Sequence, residues 1–184
     1  MKALIIVDIQ NDFLSEGSLA VEGGDTIIDT INVLQLLFPV VVATQDWHPP
    51  DHKSFVSIWP VHCVQNTKGS ELSIKLNRDC IDKIFQKGTN PCIDSYSGFF
   101  DNEHKQSTGM GEWLKEKGVD EVFVCGLATD YCVKFTALDS IEFGFKTYFI
   151  EDISKGVTPK GVVDSIEEMK NKGVNIIQSK NVIN

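Results

Sequence analysis

The residues best suited to chemistry stand where predicted strands end. Asp8 closes an apolar run near the start of the chain, Lys87 ends another, and Cys132 follows a third within GLATDYCVKFTALDSIEFG. In an open α/β sheet, ligands bind at the carboxyl ends of the strands, so a carboxylate, an amine and a thiol are predicted to meet at one sheet edge. There Asp8 can accept the thiol proton and leave a nucleophilic sulfur.

The sequence around Cys132 favours an activated thiol. Thr129 or Asp130 can cap a helix whose first turn carries Cys132. A helix N-terminus stabilises an anion by ~0.3–1 kcal/mol, and the Lys87 ammonium group adds to this effect, so we expect a lowered thiol pKa. Considered alone, Asp8 is explained as a turn residue at the end of a strand, and Lys87 as an amine at the surface. Asp8, Lys87 and Cys132 together favour covalent catalysis.

A second group of residues has the composition of a metal site. Asp46 and His48 are two positions apart in an extended segment, so their side chains point to the same side. His62, in WPVHC, adds a second imidazole. This donor set suits Zn, Fe, Mn or Co and leaves positions for water or substrate. We predict that it binds one divalent metal ion.

Short apolar runs alternate with longer amphipathic segments, which is typical of βα units around a parallel sheet. The predicted strands are Ala3–Val7, Val40–Ala43, Asp82–Gln86, Glu121–Cys125, Thr147–Ile150 and Asn175–Ile177. The predicted helices are Asp25–Phe38, Thr108–Lys117, Tyr131–Phe143 and Lys160–Lys172. We therefore predict an α/β fold, in which residues 1–184 form a single domain with a doubly wound, mostly parallel six-stranded sheet and helices on both faces.

Composition excludes several function classes. The 184-residue chain has a formal net charge of −9 and no basic patch, which argues against nucleic-acid or anionic-membrane partners. Asp8 interrupts the first apolar run, which predicts neither a signal peptide nor a membrane span there. Five cysteines without CxxC spacing predict reduced thiols in a cytoplasmic protein. We expect a small-molecule substrate, and the sequence leaves homo-oligomer formation open.

Segments along nearly the whole chain resemble the nicotinamidases, also called pyrazinamidases, of the isochorismatase-like cysteine hydrolase family. These segments are LIIVDIQNDF, ATQDWHPPDHKSF, WPVHCVQNTKG, FQKGTNPCIDSYSGFFD and GLATDYCVKFTALD. The resemblance implies an isochorismatase-like hydrolase fold. It also implies an amidohydrolase that converts nicotinamide to nicotinate and ammonia through a cysteine thioester, with pyrazinamide as a further substrate and NAD salvage as the setting.

The same resemblance assigns roles to individual residues. It implies a catalytic triad of Asp8, Lys87 and Cys132. It implies a metal site formed by Asp46, His48 and His62. It also implies a slot for the pyridine ring, lined by Phe13, Trp59 and Tyr96. Backbone N–H groups of Ala128 and Cys132 are expected to form an oxyanion hole beside a cis peptide bond at Leu127–Ala128. A metal ion, with zinc favoured over iron or manganese, is expected to dock the pyridine nitrogen.

The loop from His52 to Trp59 departs from the family pattern, because it spans only seven positions. Some relatives have an additional histidine ligand in this loop, but the spacing here does not assign that role to His52. We predict that His52 lies behind the metal ligands or at the surface.

The alternatives come from the same family and from other classes. Relatives that act on carbamoyl or ureido compounds keep the triad but lack this metal cluster, and isochorismatases lack the nucleophilic Cys. Non-haem oxygenases also use two histidines and a carboxylate, but they use a β-sandwich-like scaffold and need neither Cys132 nor Lys87. A flavodoxin-like carrier needs a phosphate cradle that IQNDFLSEG does not offer. A relative that only binds a ligand does not need a complete triad.

Overall fold

The computed structural model of the chain describes residues 1–183 and contains one parallel sheet. Its strands are β1 (Lys2–Val7), β2 (Val40–Asp46), β3 (Lys83–Lys87), β4 (Glu121–Leu127), β5 (Lys146–Lys155) and β6 (Asn175–Ile177). They lie in the order β3-β2-β1-β4-β5-β6, and every pairing between them is parallel. The predicted six-stranded sheet is therefore confirmed, and it is parallel throughout.

The four predicted helices are present with shifted ends, together with two short ones. The helices are α1 (Ile28–Gln35), α2 (Ser54–Ser57), α3 (Met110–Glu116), α4 (Lys134–Glu142), α5 (Pro159–Asn171) and α6 (Lys180–Ile183). The first predicted helix begins later than expected because residues 24–27 form a 3₁₀ turn. None of the helices within residues 1–183 has the length and apolar character needed to cross a membrane.

Side chains of β1 pack into two separate cores. Leu4 and Ile6 belong to the core on the side of α1, whereas Ala3, Ile5 and Val7 belong to the core on the side of α3, α4 and α5. This alternation follows from the two-residue period of a strand. Because both faces of β1 are buried from Ala3 onward, its sequence is apolar from Ala3 to Val7, and helices cover the sheet on both sides.

Strand β5 extends past the predicted end at Ile150. A register shift between Val124 and Gly126 interrupts its pairing with β4, and pairing resumes as Gly126 with Ser154 and Leu127 with Lys155. The extension contains several polar residues, so the apolar pattern of the sequence does not predict it as a strand. The extension brings the loop after β5 to the sheet edge where the chemistry-bearing residues lie.

Candidate active site

The carboxyl ends of four strands converge at one edge of the sheet. Asp8 directly follows β1, Asp46 and Lys87 are the last residues of β2 and β3, and β4 leads into the turn that contains Cys132. Asp46 and Lys87 are also register partners on neighbouring strands. Since the strand order reverses between β1 and β4, this edge is the place where an open α/β sheet binds ligands.

Lys87 lies at the centre of the cluster, and its side chain is completely buried. Its Nζ lies 2.9 Å from Asp8 Oδ2 and donates hydrogen bonds to Cys132 Sγ at 3.3 Å and to Ser95 O at 3.1 Å. It also donates a hydrogen bond to Asp46 Oδ1. Burial alone lowers the pKa of Lys87, but the charges of Asp46 and Asp8 outweigh burial and hold this pKa well above its ordinary value. Lys87 is therefore a stable cation between two carboxylates.

Asp8 is buried and hydrogen-bonded on its other side to Thr44 of β2. Thr44 Oγ1 donates to Asp8 Oδ1 at 2.6 Å and accepts from the Asp8 backbone N–H at 3.3 Å. Burial raises the pKa of Asp8, the charge of Lys87 opposes the shift, and Asp46 adds to it. A carboxylate whose pKa is raised is a stronger base, which suits it to accept a proton from a neighbouring group.

The turn that carries Cys132 is not capped in the predicted way. The residues Thr129–Val133 form one π-helical turn before α4, and no side chain caps it. Asp130 instead accepts a hydrogen bond from the backbone N–H of Val157 at 2.8 Å, in the loop after β5. The capping role predicted for Thr129 or Asp130 is therefore wrong, because the Asp130 carboxylate binds this neighbouring loop.

The Cys132 thiol also differs electrostatically from the sequence expectation. Burial raises its pKa well above the ordinary value, the charge of Lys87 opposes the shift, and the carboxylates Asp8 and Asp46 reinforce it. The expected lowering of this pKa is therefore wrong. A carboxylate oxygen of Asp8 lies within 4.8 Å of Cys132 Sγ. The geometry thus places the thiol next to a base.

Asp46, His48 and His62 meet around one carboxylate oxygen. Asp46 Oδ2 lies 3.5 Å from His48 Nε2 and 3.9 Å from His62 Nε2. The Nδ1 atoms of His48 and His62 lie 2.9 Å from Gly88 O and 2.7 Å from Pro60 O, respectively. A carbonyl oxygen only accepts, so each Nδ1 donates, and each neutral ring presents the Nε2 lone pair near Asp46. These residues fit a divalent metal ion.

The Asp46 carboxylate dominates the electrostatics of this cluster. Burial raises the pKa of Asp46, but the charges of Lys87 and His48 outweigh burial, and the pKa lies below its ordinary value. Burial lowers the pKa of His62 despite the opposing charge of Asp46. Burial also disfavours the charged form of His48, but Asp46 raises its pKa overall. An ionised Asp46 therefore faces the Nε2 atoms of two imidazoles, and this negative charge favours a cation at the position between them.

His52 is buried behind His48, so the surface alternative is wrong. The two imidazole rings stack with centroids 4.2 Å apart. Nδ1 of His52 accepts a hydrogen bond from the Ser54 backbone N–H at 3.4 Å and lies 2.7 Å from Ser54 Oγ. Its Nε2 lies 4.0 Å from Asp94 Oδ1. His52, His48 and Asp94 each offer one donor atom, and these atoms lie within 4.8 Å of one another.

A cavity of about 440 Å³ lies between the cysteine and the histidine cluster. Its walls include Phe13, Trp59, Tyr96 and Ala128 as well as Cys132 and all three candidate metal ligands. Trp59 Nε1 donates a hydrogen bond to the Tyr96 hydroxyl group at 3.2 Å, which fixes the two rings relative to each other. The residues predicted to surround a pyridine ring therefore share one cavity with the thiol.

The segment between β4 and Cys132 is held tightly against the sheet. The Leu127–Ala128 peptide bond is cis, as the resemblance implies. Gly126 has a φ of 120°, and a Cβ there would lie 2.2 Å from Val7 O, so this position requires glycine. Ala128 O accepts backbone hydrogen bonds at 3.0 and 3.1 Å from the turn that follows.

Sequence reasoning missed two polar residues, in the segment after β1, whose side chains hold the backbone of the site in place. Gln10 Nε2 donates to Asp46 O at 2.8 Å, and Gln10 Oε1 accepts from the Asp46 backbone N–H at 2.8 Å. Asp12 Oδ2 accepts from the Cys63 backbone N–H at 2.7 Å, directly after His62. The available signal was the polar run from Gln10 to Asp12, shortly after the apolar stretch of β1.

Comparison with known proteins identifies the family. The family model of the isochorismatase domain matches residues 2–181, and the chain belongs to this family. The chain is 42% identical to a nicotinamidase of Escherichia coli K12, over 95% of this chain and 93% of that protein.

Solved structures of related proteins share the fold. The structure of PnC1 from L. infantum in complex with nicotinate is 40% identical, with a TM-score of 0.95 and coverage of 98% of this chain and 93% of that one. The pyrazinamidase of Pyrococcus horikoshii in complex with zinc is 41% identical, with a TM-score of 0.87 and coverage of 96% and 98%. The predicted isochorismatase-like fold is therefore confirmed.

Proposed function

We propose that this chain is a nicotinamidase, an amidohydrolase that converts nicotinamide to nicotinate and ammonia, and that residues 1–184 form a single hydrolase domain. The observation that carries the proposal is the position of Lys87 Nζ, 2.9 Å from Asp8 Oδ2 and 3.3 Å from Cys132 Sγ. A base, a nucleophile and a buried cation beside an aromatic cavity fit covalent hydrolysis of an aromatic amide. The relatives named nicotinamidase and the nicotinate-bound structure support this substrate.

The first half of the reaction forms a thioester on Cys132. Asp8 accepts the thiol proton, and the sulfur attacks the carboxamide carbon. Backbone N–H groups of Ala128 and Cys132 bind the oxygen that becomes negative in the tetrahedral intermediate. Asp8 then returns the proton to the departing nitrogen, the C–N bond breaks, and ammonia leaves.

The second half hydrolyses the thioester with water. Asp8 accepts a proton from the water molecule, whose oxygen attacks the same carbon. The C–S bond breaks, and Asp8 returns the proton to the sulfur of Cys132. Lys87 stabilises the thiolate and the Asp8 carboxylate in turn, since its Nζ contacts both groups. General-base assistance of this kind is commonly worth ~10²–10⁴-fold in rate.

Asp46, His48 and His62 would hold the metal ion. When bound, a divalent cation supplies a Lewis-acidic docking point for the pyridine nitrogen. The zinc-bound Pyrococcus pyrazinamidase supports zinc over iron or manganese. The carbonyl oxygens of Gly88 and Pro60 accept from the Nδ1 atoms of the two imidazole rings and thereby turn both Nε2 atoms toward this position.

Phe13, Trp59 and Tyr96 bind the pyridine ring in the slot between the two clusters. Their packing fixes the carboxamide carbon opposite Cys132, and holding reactants in place lowers the barrier substantially. Pyrazinamide has the same ring size, a ring nitrogen and a carboxamide, so we expect it to be hydrolysed as well. NAD salvage is consistent with this product, and the cytoplasmic location stays a prediction.

The alternative substrates fit this cavity less well. Carbamoyl and ureido compounds have no aromatic ring to fill the slot of Phe13, Trp59 and Tyr96. A non-haem oxygenase would not need Cys132 in the wall of the same cavity as the two histidines. These two observations favour nicotinamide hydrolysis.

Ammonia release from nicotinamide by the full chain tests the proposal. We expect turnover of nicotinamide and pyrazinamide, no comparable turnover of N-carbamoyl or ureido compounds, and a loss of activity after chelation that added Zn²⁺ restores. A trapped acyl adduct on Cys132, detected by mass spectrometry after acid quenching, would locate the intermediate. Efficient hydrolysis of a ureido compound with no release of ammonia from nicotinamide would overturn the proposal.

A further inference from the structure

A second cluster of ligand-type side chains lies outside the candidate active site. His104, Asp139 and Glu142 each offer one donor atom, and these atoms lie within 4.8 Å of one another. His104 Nε2 lies 3.6 Å from Asp139 Oδ1. His104 and Asp139 line an open cavity of about 510 Å³ whose wall also includes Tyr96. Tyr96 therefore separates this cavity from the catalytic one.

Two buried carboxylate oxygens at this cavity have no hydrogen-bond partner. Asp139 is 6% exposed and Asp101 is 7% exposed, both residues line the cavity, and the Oδ2 atom of each is unpartnered. Buried polar atoms nearly always have a partner, so each exception points to a missing one. The negative charge at this cavity is thus incompletely compensated.

His104 is positioned to bind an ion from solvent. Its side chain is 51% exposed, and its ring stacks on Phe100 with centroids 5.0 Å apart and an interplanar angle of 16°. Its backbone N–H donates to Asp101 O at 3.0 Å. The 3.6 Å from His104 Nε2 to Asp139 Oδ1 is close to the roughly 3.4 Å that separates two ligands of a tetrahedral ion with bonds of about 2.1 Å.

We propose that His104, Asp139 and Glu142 bind a second divalent transition-metal ion beside this cavity. An imidazole combined with carboxylates suits Zn²⁺ and related ions, whereas Ca²⁺ and Mg²⁺ prefer oxygen donors alone. The half-exposed imidazole makes this ion exchangeable, in contrast to an ion bound by the buried residues Asp46, His48 and His62.

The second ion links α4 to the loop that contains Tyr96. His104 and Asn102 belong to this loop, and Asn102 Oδ1 accepts a hydrogen bond from the Tyr96 backbone N–H at 2.9 Å. Ser95, at the start of the loop, accepts the hydrogen bond from Lys87. Asp139 and Glu142 belong to α4, which directly follows the Cys132 turn. The ion therefore supports one wall of the substrate slot from outside.

Equilibrium dialysis of the full chain against Zn²⁺, followed by metal analysis, tests the second site. We expect His104→Ala and Glu142→Gln each to bind one ion fewer per chain than the wild type. Glu103→Gln is the matched control, because it removes the same charge as Glu142→Gln from an exposed acid outside the cluster. A variant that lacks His48 should lose the other ion and retain the one that depends on His104.

The difference between the wild type and His104→Ala decides the question, whatever happens at the first site. Equal zinc content in these two proteins, or an equal loss in Glu103→Gln and Glu142→Gln, would show that His104 and Asp139 form only an ion pair. As a second measurement, Zn²⁺ should slow amide hydrogen exchange in residues 95–104 of the variant that lacks His48, and His104→Ala should abolish this protection. Unchanged exchange would overturn the proposed fastening of the loop.

Discussion

Lys87 donates a hydrogen bond to Asp46 Oδ1 and thereby joins the proposed triad to the histidine cluster. The other oxygen of the same carboxylate, Oδ2, lies 3.5 Å from His48 Nε2 and 3.9 Å from His62 Nε2. One buried carboxylate therefore faces a cation on one side and the candidate metal position on the other. Because both partners share its charge, the electrostatics of the two clusters are coupled.

Cys132→Ala is expected to abolish nicotinamide hydrolysis without disturbing the fold. Loss of a nucleophile that works as part of a catalytic unit costs on the order of 10³–10⁶-fold in kcat. The substitution removes one sulfur atom, so the melting temperature should shift by less than about 4 °C, which corresponds to roughly 1 kcal/mol in a domain of this size. Ammonia release and thermal melting measure the two effects. Substantial residual hydrolysis would contradict the thioester mechanism.

Asp8→Asn should reduce kcat by on the order of 10²–10⁴-fold, because the amide cannot accept the thiol proton. Lys87 keeps its hydrogen bonds to Asp46 and Ser95, so the variant should fold. The double variant Asp8→Asn/Cys132→Ala should be no slower than Cys132→Ala alone, since both residues act in one proton transfer. Multiplicative losses in the double variant would show that the two residues act independently.

The pH dependence of kcat/KM should carry the signature of Asp8. Burial raises its pKa above the ordinary value of 3.8, despite the opposing charge of Lys87. A general base acts only when deprotonated, so kcat/KM should fall as the pH falls through this raised pKa, at a pH above 3.8. The residual activity of Asp8→Asn should lack this acid limb. Metal content measured across the same pH range shows whether the fall in kcat/KM at low pH comes from loss of the metal ion. If Asp8→Asn keeps the same fall in kcat/KM at low pH, Asp8 is not its source.

The meeting of Asp8, Lys87 and Cys132 could be predicted because topology decides it. Residues at the carboxyl ends of parallel strands share one sheet edge, and each of these residues could be placed at a strand end from apolar runs alone. Likewise, the two-residue spacing of Asp46 and His48 was enough to place both on one side of an extended segment.

The errors concern contacts between residues far apart in the chain. Asp130 fits the helix-cap pattern locally, but its carboxylate bonds to Val157, 27 residues later. The Cys132 pKa depends on burial and on two carboxylates from other strands, and local helix arguments do not include them. The cluster of His104 with Asp139 forms between a loop and a helix, and no motif in the sequence connects them.

Removal of the metal ion, or His48→Ala, should harm nicotinamide hydrolysis more than benzamide hydrolysis. The proposed contact is between the ion and the pyridine nitrogen, which benzamide lacks. The comparison uses kcat/KM for both amides before and after chelation, with Zn²⁺ added back as the control. Equal proportional losses for the two substrates would mean that the ion organises the cavity generally and does not dock the ring nitrogen.

Trp59→Ala should raise KM for nicotinamide markedly and weaken metal retention, whereas His52→Ala should change metal content little. Trp59 lines the cavity, and aromatic stacking is worth ~0.5–1.5 kcal/mol beyond burial, enough for roughly a tenfold loss of affinity. The same residue precedes Pro60, whose carbonyl oxygen lies 2.7 Å from Nδ1 of the candidate ligand His62. Loss of the indole therefore disturbs a metal ligand as well as the slot.

His52 is the matched comparison because it lies in the same loop and contacts the cluster, although it is not one of the three proposed ligands. Its ring stacks on His48, and its Nδ1 accepts a hydrogen bond from Ser54. Metal analysis, KM and melting temperature of both variants separate the possibilities. If Trp59→Ala lowers the melting temperature but leaves KM and metal content unchanged, Trp59 is a packing residue only. Stoichiometric loss of the ion from His52→Ala would establish a fourth protein ligand and overturn the three-residue site.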